Sequence, residues 1–286
     1  MTDIQSIGFG ISYVMLGVAV LLLSKLLKDA MTPYKIDEEL TVKDNPALGL
    51  VLFGYFAGVT IVFLGATIGP DPEVAPTMSE IATILGIDLA YCIGGMVALT
   101  VGRVILDKIS LPSFSTTKEI IEDRNEGTAA VECGGMIATA LVVAGAIHGE
   151  TGGPLSALVF FAIGQLVLII FGKLYQAVVK YNVHAEIEKD NVAAGVALGF
   201  NLVAMGIILL KGIHGDIFDW QEKLTWFGIE VGIGIVLLLI LRKITDALFL
   251  PNTTIGHEIA NDKNINAAWI EGIIATSVAT IIFFVV

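Results

Sequence analysis

Eight stretches of this 286-residue chain are each apolar over roughly the 20 residues that a helix needs to cross a bilayer. They run from Ile7 to Leu27, Ala47 to Ile68, Ile81 to Gly102, Gly127 to His148, Pro154 to Gly172, Asn191 to His214, Trp226 to Leu241 and Ile265 to Val286. The first is too long for a secretory signal, and Met1 to Ser6 lacks a positive leader, so it is read as a retained span. Hydrophobic residues make up 55% of the chain and charged ones 15%, where a soluble domain carries about a quarter charged residues. A water-soluble core is therefore the wrong expectation, and the fold expected is all-α: a polytopic membrane protein of eight transmembrane helices.

Sidedness follows from where the cations fall. Fourteen of the 16 Lys and Arg residues, among them Lys25, Lys28, Lys43, Arg103, Lys118, Arg124, Lys189, Arg242 and Lys263, lie in or beside one set of loops, leaving only Lys211 and Lys223 for the other. Lys and Arg bias loops toward the cytoplasm, so both termini are expected outside a bacterial inner (plasma) membrane. The external loops are acidic, with Asp71, Glu73, Glu150, Asp216, Asp219 and Glu222. That could concentrate cations, but exclusion of positive charge from translocated loops explains it more simply. The net charge of -12 comes without any basic patch interleaved with aromatics, so nucleic acid is not an expected partner. Cys92 and Cys133 sit in apolar stretches and form neither a disulfide framework nor a CxxC site. GxSxG, P-loop and HExxH patterns do not occur, so no enzyme, cofactor or metal centre is expected.

The chain is internally repeated. At an offset of 139, Arg103 falls on Arg242, Asp107 on Asp246, Leu111-Pro112 on Leu250-Pro251, Glu119-Ile120 on Glu258-Ile259, Asn125 on Asn264 and Glu132 on Glu271. Lys43-Asp44-Asn45 likewise matches Lys189-Asp190-Asn191, and Ile147-His148-Gly149-Glu150 matches Ile213-His214-Gly215-Asp216. The chain thus divides into a four-helix pair of hairpins at 1–149 and another at 153–286, each hairpin reading helix, cytoplasmic acidic segment, Asn, helix. An even number of spans per unit keeps orientation, so the repeats are expected to be parallel, related by an axis along the membrane normal. Asn45, Asn125, Asn191 and Asn264 stand where a helix N-cap is expected, with Pro46 at the first helical position. Gly54/Gly58, Gly145/Gly149, Gly195/Gly199 and Gly228/Gly232 have the GxxxG spacing that lets helices approach closely in lipid.

An apolar helix, a polar segment ending in EI-x4-N and a helix rich in small residues, as in Glu119-Ile120 to Asn125 and Glu258-Ile259 to Asn264, resembles the bacterial membrane family catalogued as domain of unknown function 350. The resemblance implies two tandem copies across nearly the whole chain. It implies no activity, but an association with envelope-stress gene sets, including those with phage-shock-type membrane-remodelling proteins. Leu52 and Leu198 depart from the pattern, standing where the even-numbered hairpins carry Glu132 and Glu271.

Ionisable groups at membrane depth are costly and mark functional sites by default. Glu132 and Glu271 lie seven residues past their Asn, about 10 Å into the helix from the cytoplasmic end. Asp88, with Tyr91 three residues on, and Glu230 occupy the external half. Arg103 and Arg242 are candidate partners for the two glutamates, although pairing with Asp107 and Asp246 four positions later on their own helices is favoured. Lys211 suits either Asp88 or Glu230, Asn201 needs a mid-helix partner, and His148 and His214 read better as interfacial caps than as a pH sensor or metal site. Two functions fit. One is a proton- or cation-conducting channel or transporter through Glu132, Glu271, Asp88 and Glu230, ranked slightly ahead on the cost of burying charge. The other is a non-transporting scaffold, possible as a homo-oligomer, that recruits a cytoplasmic stress-response protein through segments around Glu119 and Glu258.

Overall fold

A computed structural model describes residues 3–69, 76–110, 116–148, 151, 153–249 and 253–285. Asp71, Glu73, Gly149, Glu150, Leu111-Pro112 and Leu250-Pro251 lie outside the described residues, as does the side chain of Asp107. Eight of the described helices are long and apolar enough to cross a membrane: α1 (Asp3–Met31), α3 (Pro46–Thr67), α4 (Met78–Ser110), α6 (Glu126–Ile147), α7 (Gly153–Val178), α9 (Val192–Ile213), α10 (Trp220–Phe249) and α12 (Ile265–Val285). Four six-residue helices, α2 (Ile36–Thr41), α5 (Thr116–Ile121), α8 (Val183–Glu188) and α11 (Ile255–Ala260), occupy the polar segments, which the hydropathy pattern does not resolve into helices.

The spans form two layers. Four inner helices stand in a row in the order α3, α6, α9, α12, each packed on the next. The outer helices fill grooves between them: α4 packs on α3 and α6, α7 on α6 and α9, and α10 on α9 and α12, with α1 against α3. The central helices α6 and α9 are consequently buried, whereas α1 turns Ile7, Ile11, Val14, Met15 and Leu22 outward, as expected of a lipid-facing surface. The row is tight because small residues line it. A Cβ on Gly195 would run into the Gly127 carbonyl, one on Gly134 into the Gly199 backbone, and one on Gly54 would lie 2.6 Å from the Cys133 Cα. Of the GxxxG pairs, Gly54/Gly58 and Gly195/Gly199 serve close packing, but Gly228 and Gly232 have nothing within 4 Å.

Each short helix leads into its inner helix through the same device. The residue before the Asn takes a left-handed conformation, with φ of 52° at Asp44, 53° at Arg124, 54° at Asp190 and 49° at Lys263. This turns the Asn N–H back onto the short helix, where it donates to the carbonyl of Glu39, Glu119, Glu186 or Glu258. The Asn side chain then caps the inner helix: Oδ1 accepts from the N–H of Leu48 at 3.1 Å, Thr128 at 2.7 Å and Ala194 at 3.2 Å. At the fourth junction Asn264 Oδ1 takes the Asn266 N–H at 3.0 Å.

The amide of each Asn has two further N–H groups to place. One goes to the glutamate of its own unit: Glu39, Glu119, Glu186 and Glu258, at 3.4, 2.8, 3.0 and 2.8 Å. The other crosses to the short helix of the following unit: Asn45 donates to the Ile120 carbonyl at 2.9 Å, Asn125 to Ile187 at 2.8 Å and Asn191 to Ile259 at 2.8 Å. Those links place all four short helices on one face. Capping was legible from the sequence; the strap to the next unit was not.

Replacing Asn125 or Asn191 by Ala should cost about 1 kcal/mol for the cap plus about 1–3 kcal/mol for the buried carbonyl left unanswered. In the detergent-solubilised monomer Asn264→Ala should cost only the smaller part; equal shifts in thermal unfolding for all three monomeric variants would refute the strap. A pH dependence follows as well. The Lys43 ammonium, then the Asn45 amide, hold Glu39 below the usual carboxylate range, and Asn191, then Lys189, do the same for Glu186. Arg124 and Lys263, each from the following unit, add to this. Because both folded values are depressed, this stabilisation is complete above the ordinary value of 4.5 and is lost as pH falls below it through the folded values. The melting temperature should therefore drop on that acid limb, and Glu39→Gln with Glu186→Gln should flatten the drop.

Candidate functional site: two buried charge clusters

Glu132 and Glu271 occupy matching positions on α6 and α12, 7% and 3% exposed, about 10 Å in from the short-helix face. A bare carboxylate at that depth would be severely destabilising, and each is met by an arginine from the outer helix of its own hairpin. Arg242 Nε lies 3.2 Å from Glu271 Oε1, and Arg103 Nε pairs with Glu132 Oε1. The structure therefore corrects the favoured pairing of Arg242 with Asp246. Asp246 Oδ1 instead accepts the Ile255 N–H at 2.6 Å, steadying the start of α11. The buried carboxylate has the stronger demand for a cation, because it has no water to fall back on.

The second cluster is the fuller one. Tyr175 on α7 donates to Glu271 at 3.1 Å, and Asn201 on α9 donates to the same carboxylate at 3.2 Å and to the Ala197 carbonyl at 2.8 Å. The Arg242 guanidinium also sits over the rings of Tyr175 and Tyr181, 5.4 and 6.0 Å from their centroids. Burial pushes the Tyr181 phenol up to about 12, so it is protonated at neutral pH. Four transmembrane helices thus converge on one carboxylate.

The first cluster differs around the same core. Tyr55, ten residues past Asn45 as Asn201 is past Asn191, donates to the Ser24 carbonyl at 3.1 Å. Lys28 is buried with its ammonium 4.9 Å from the Tyr55 ring centroid. Tyr34 lies within electrostatic range of Arg103, Glu132 and Glu39, and its phenol is raised, chiefly by burial. Sequence reasoning missed Tyr175, Tyr181, Tyr34 and Lys28; their signal was polar side chains at the ends of the odd-numbered apolar runs.

The remaining site residues separate from these clusters. Lys211 pairs with Glu230 at 3.1 Å, while Asp88 is buried on α4 with its Oδ2 unanswered by a hydrogen bond among the described residues. His148 and His214 end α6 and α9, their N–H groups bonding Ala144 and Leu210, and their rings stack at 4.3 Å between centroids. Burial, then the neighbouring His148, lowers the pKa of His214. Asp216 accepts from the backbone and hydroxyl of Thr151. Tyr91 lines an apolar groove of about 660 Å³ with Gly95, Val143, Pro154 and Phe161, which offers no polar partner to Asp88. Between Asn201 and Lys211, α9 buries Leu202, Ala204, Met205, Ile208 and Leu209. On α6 the middle is polar at one point only among the described residues, where Thr139 accepts from Gln165 Nε2 at 3.3 Å.

Removing one partner of a buried pair leaves an uncompensated charge, costing about 3–5 kcal/mol, whereas removing both is often far milder. Arg242→Met and Glu271→Leu should each lower the melting temperature in detergent sharply, and the double variant should recover most of the loss. Additive losses would mean the pair is not coupled.

A family model described as Domain of Unknown Function (DUF350) matches residues 3–147 and again 149–286. The chain is 22% identical over 244 residues to a UPF0719 transmembrane protein of Aquifex aeolicus (strain VF5), covering 82% of this chain and 84% of that protein. No solved structure matches at a significant level. With its two tandem matches spanning eight membrane helices, the chain belongs to the DUF350 family of multi-pass membrane proteins.

Proposed function

We propose that the protein is a non-transporting membrane scaffold whose short-helix face lies in the cytoplasm and docks a protein partner. The supporting observation is that the buried glutamates of the inner and outer groups are each ion-paired within their own group. Glu132 and Glu271 are paired with arginines and Glu230 with Lys211. About 15 Å of helix separates Asn201 from Lys211 on α9, with apolar side chains buried along it. Conduction would need a hydrated route past that stretch, so the weight moves from transport to scaffold. The Lys and Arg bias supports the orientation, with both termini outside an inner membrane.

The docking surface is the one expected from the four cytoplasmic segments, but Glu119 and Glu258 are not its outward groups. Glu119 is turned inward, 8% exposed and bonded to Asn125, and Glu258 is half-buried and bonded to Asn264. The outward side chains are Glu38, Val42, Glu122, Asp123, Glu188 and Asp262, interleaved with the exposed Lys43, Lys118, Arg124, Lys189 and Lys263, so the face carries both signs of charge. The partner is a cytoplasmic protein that docks on this mixed-charge surface.

Two measurements test this together. Protein reconstituted in liposomes should give no proton, monovalent or divalent cation flux above empty vesicles. Protein in nanodiscs should capture a cytoplasmic partner from its native extract, and Glu122→Lys with Asp123→Lys should weaken that capture at least tenfold while leaving the melting temperature unchanged. Flux that Glu132→Gln or Glu271→Gln abolishes would overturn the scaffold and restore the transporter.

A further inference from the structure

The row of inner helices has two unfinished ends. At its start, Leu40 occupies the place held in later units by Ile120, Ile187 and Ile259, whose carbonyls receive the preceding Asn. Those three isoleucines are at most 2% exposed, whereas Leu40 is half-buried. At its close, Asn264 has the cap and the Glu258 contact but, among the described residues, no carbonyl of a following unit. It is half-buried, where Asn45, Asn125 and Asn191 are at most 2% exposed.

A second pair of groups is left over in the same sense. Across the α6–α9 junction, Asp190 Oδ1 accepts the Gly127 N–H in the first turn of α6 at 3.3 Å, a carboxylate placed at a helix N-terminus where the dipole favours it. Asp44 is the counterpart of Asp190, with the same left-handed backbone and the same exposure, but among the described residues it meets no helix N-terminus of another unit. The first turn of α12, counterpart of α6, is likewise open at Ile265 and Asn266. Gly49, which corresponds to the tightly packed Gly195, faces open space.

We propose that a second copy of this chain docks head to tail, its α2–α3 edge against α12, repeating the α6–α9 junction. Asn264 of one copy donates to the Leu40 carbonyl of the next, whose Asp44 sits over the N-terminus of α12. Deeper in the membrane the contact is broader than its internal model, since Phe53 and Leu64 on α3 face Trp269, Ile273 and Phe284 on α12, all exposed in the single chain. Such a contact joins two different surfaces, so it propagates as a ring or an open row rather than a two-fold dimer. It rests on the ends of the row alone and stands whether or not the cytoplasmic face recruits a partner.

Disulfide trapping in native membranes tests it. Gly49→Cys and Asn266→Cys placed in one chain lie three helix spacings apart, roughly 24–30 Å, too far for an intramolecular bond. Oxidation should give a ladder of dimers and higher species from the double variant and monomer from either single one. Asp44→Lys in the double-cysteine background should reduce the ladder at least fivefold, and Gly49→Cys itself has nothing within 4 Å in its own chain to disturb. A monomer band alone, with lipid covering both faces, would overturn the proposal. So would equal crosslinking by Gly49→Cys alone, which would mark a symmetric contact.

Discussion

One amide side chain in each of the first three units carries three obligations, and the arrangement of the whole molecule depends on their being met together. The Asn oxygen ends an inner helix, one N–H binds the glutamate of the same unit, and the other N–H binds the backbone of the next. Because the inner helices have only Gly and Ala along much of their mutual contact, they resist sliding poorly by shape alone. The polar straps at one face set their register, and the small residues then let backbones meet. A left-handed residue before each Asn makes this possible, and in none of the four units is it glycine. The strain of that conformation, about 1–2 kcal/mol per residue, is offset by the bonds it aligns.

The buried arginine–glutamate pairs bind the outer layer to the inner one in a complementary way. They lie beneath the short-helix face and join α4 to α6 and α10 to α12. Their desolvation makes each of them a poor source of net stability but a strict requirement for matching partners. Two clusters on one plan have diverged: Glu271 is clasped by a tyrosine and an amide, while the corresponding region around Glu132 holds Lys28 and Tyr55 in other contacts.

Much of this was legible in the amino-acid sequence, because hydrophobic run length and helix capping are local properties. The eight spans, the capping Asn residues and the depth of Glu132 and Glu271 could be read by counting along the chain. Partner choice could not. Whether Arg242 meets Asp246 or Glu271 is decided by which carboxylate packing strips of water, and nothing in a four-residue spacing reveals that. The kinship of Glu39 and Glu186 with Glu119 and Glu258 was obscured because Glu186 stands five residues before its Asn rather than six. Glu119 misled in the opposite direction, since a glutamate in a polar loop reads as solvent-facing unless the amide that captures it is known.

The direction of the straps bears on how the units complete one another. Asn45, Asn125 and Asn191 each find their last acceptor on the hairpin that follows, never on one that precedes. A hairpin taken without its successor therefore holds an unanswered amide, so each unit is complete only with the one that follows it in the chain. A chain halted after its second hairpin would leave Asn125 in the condition that Asn264 has in the finished molecule.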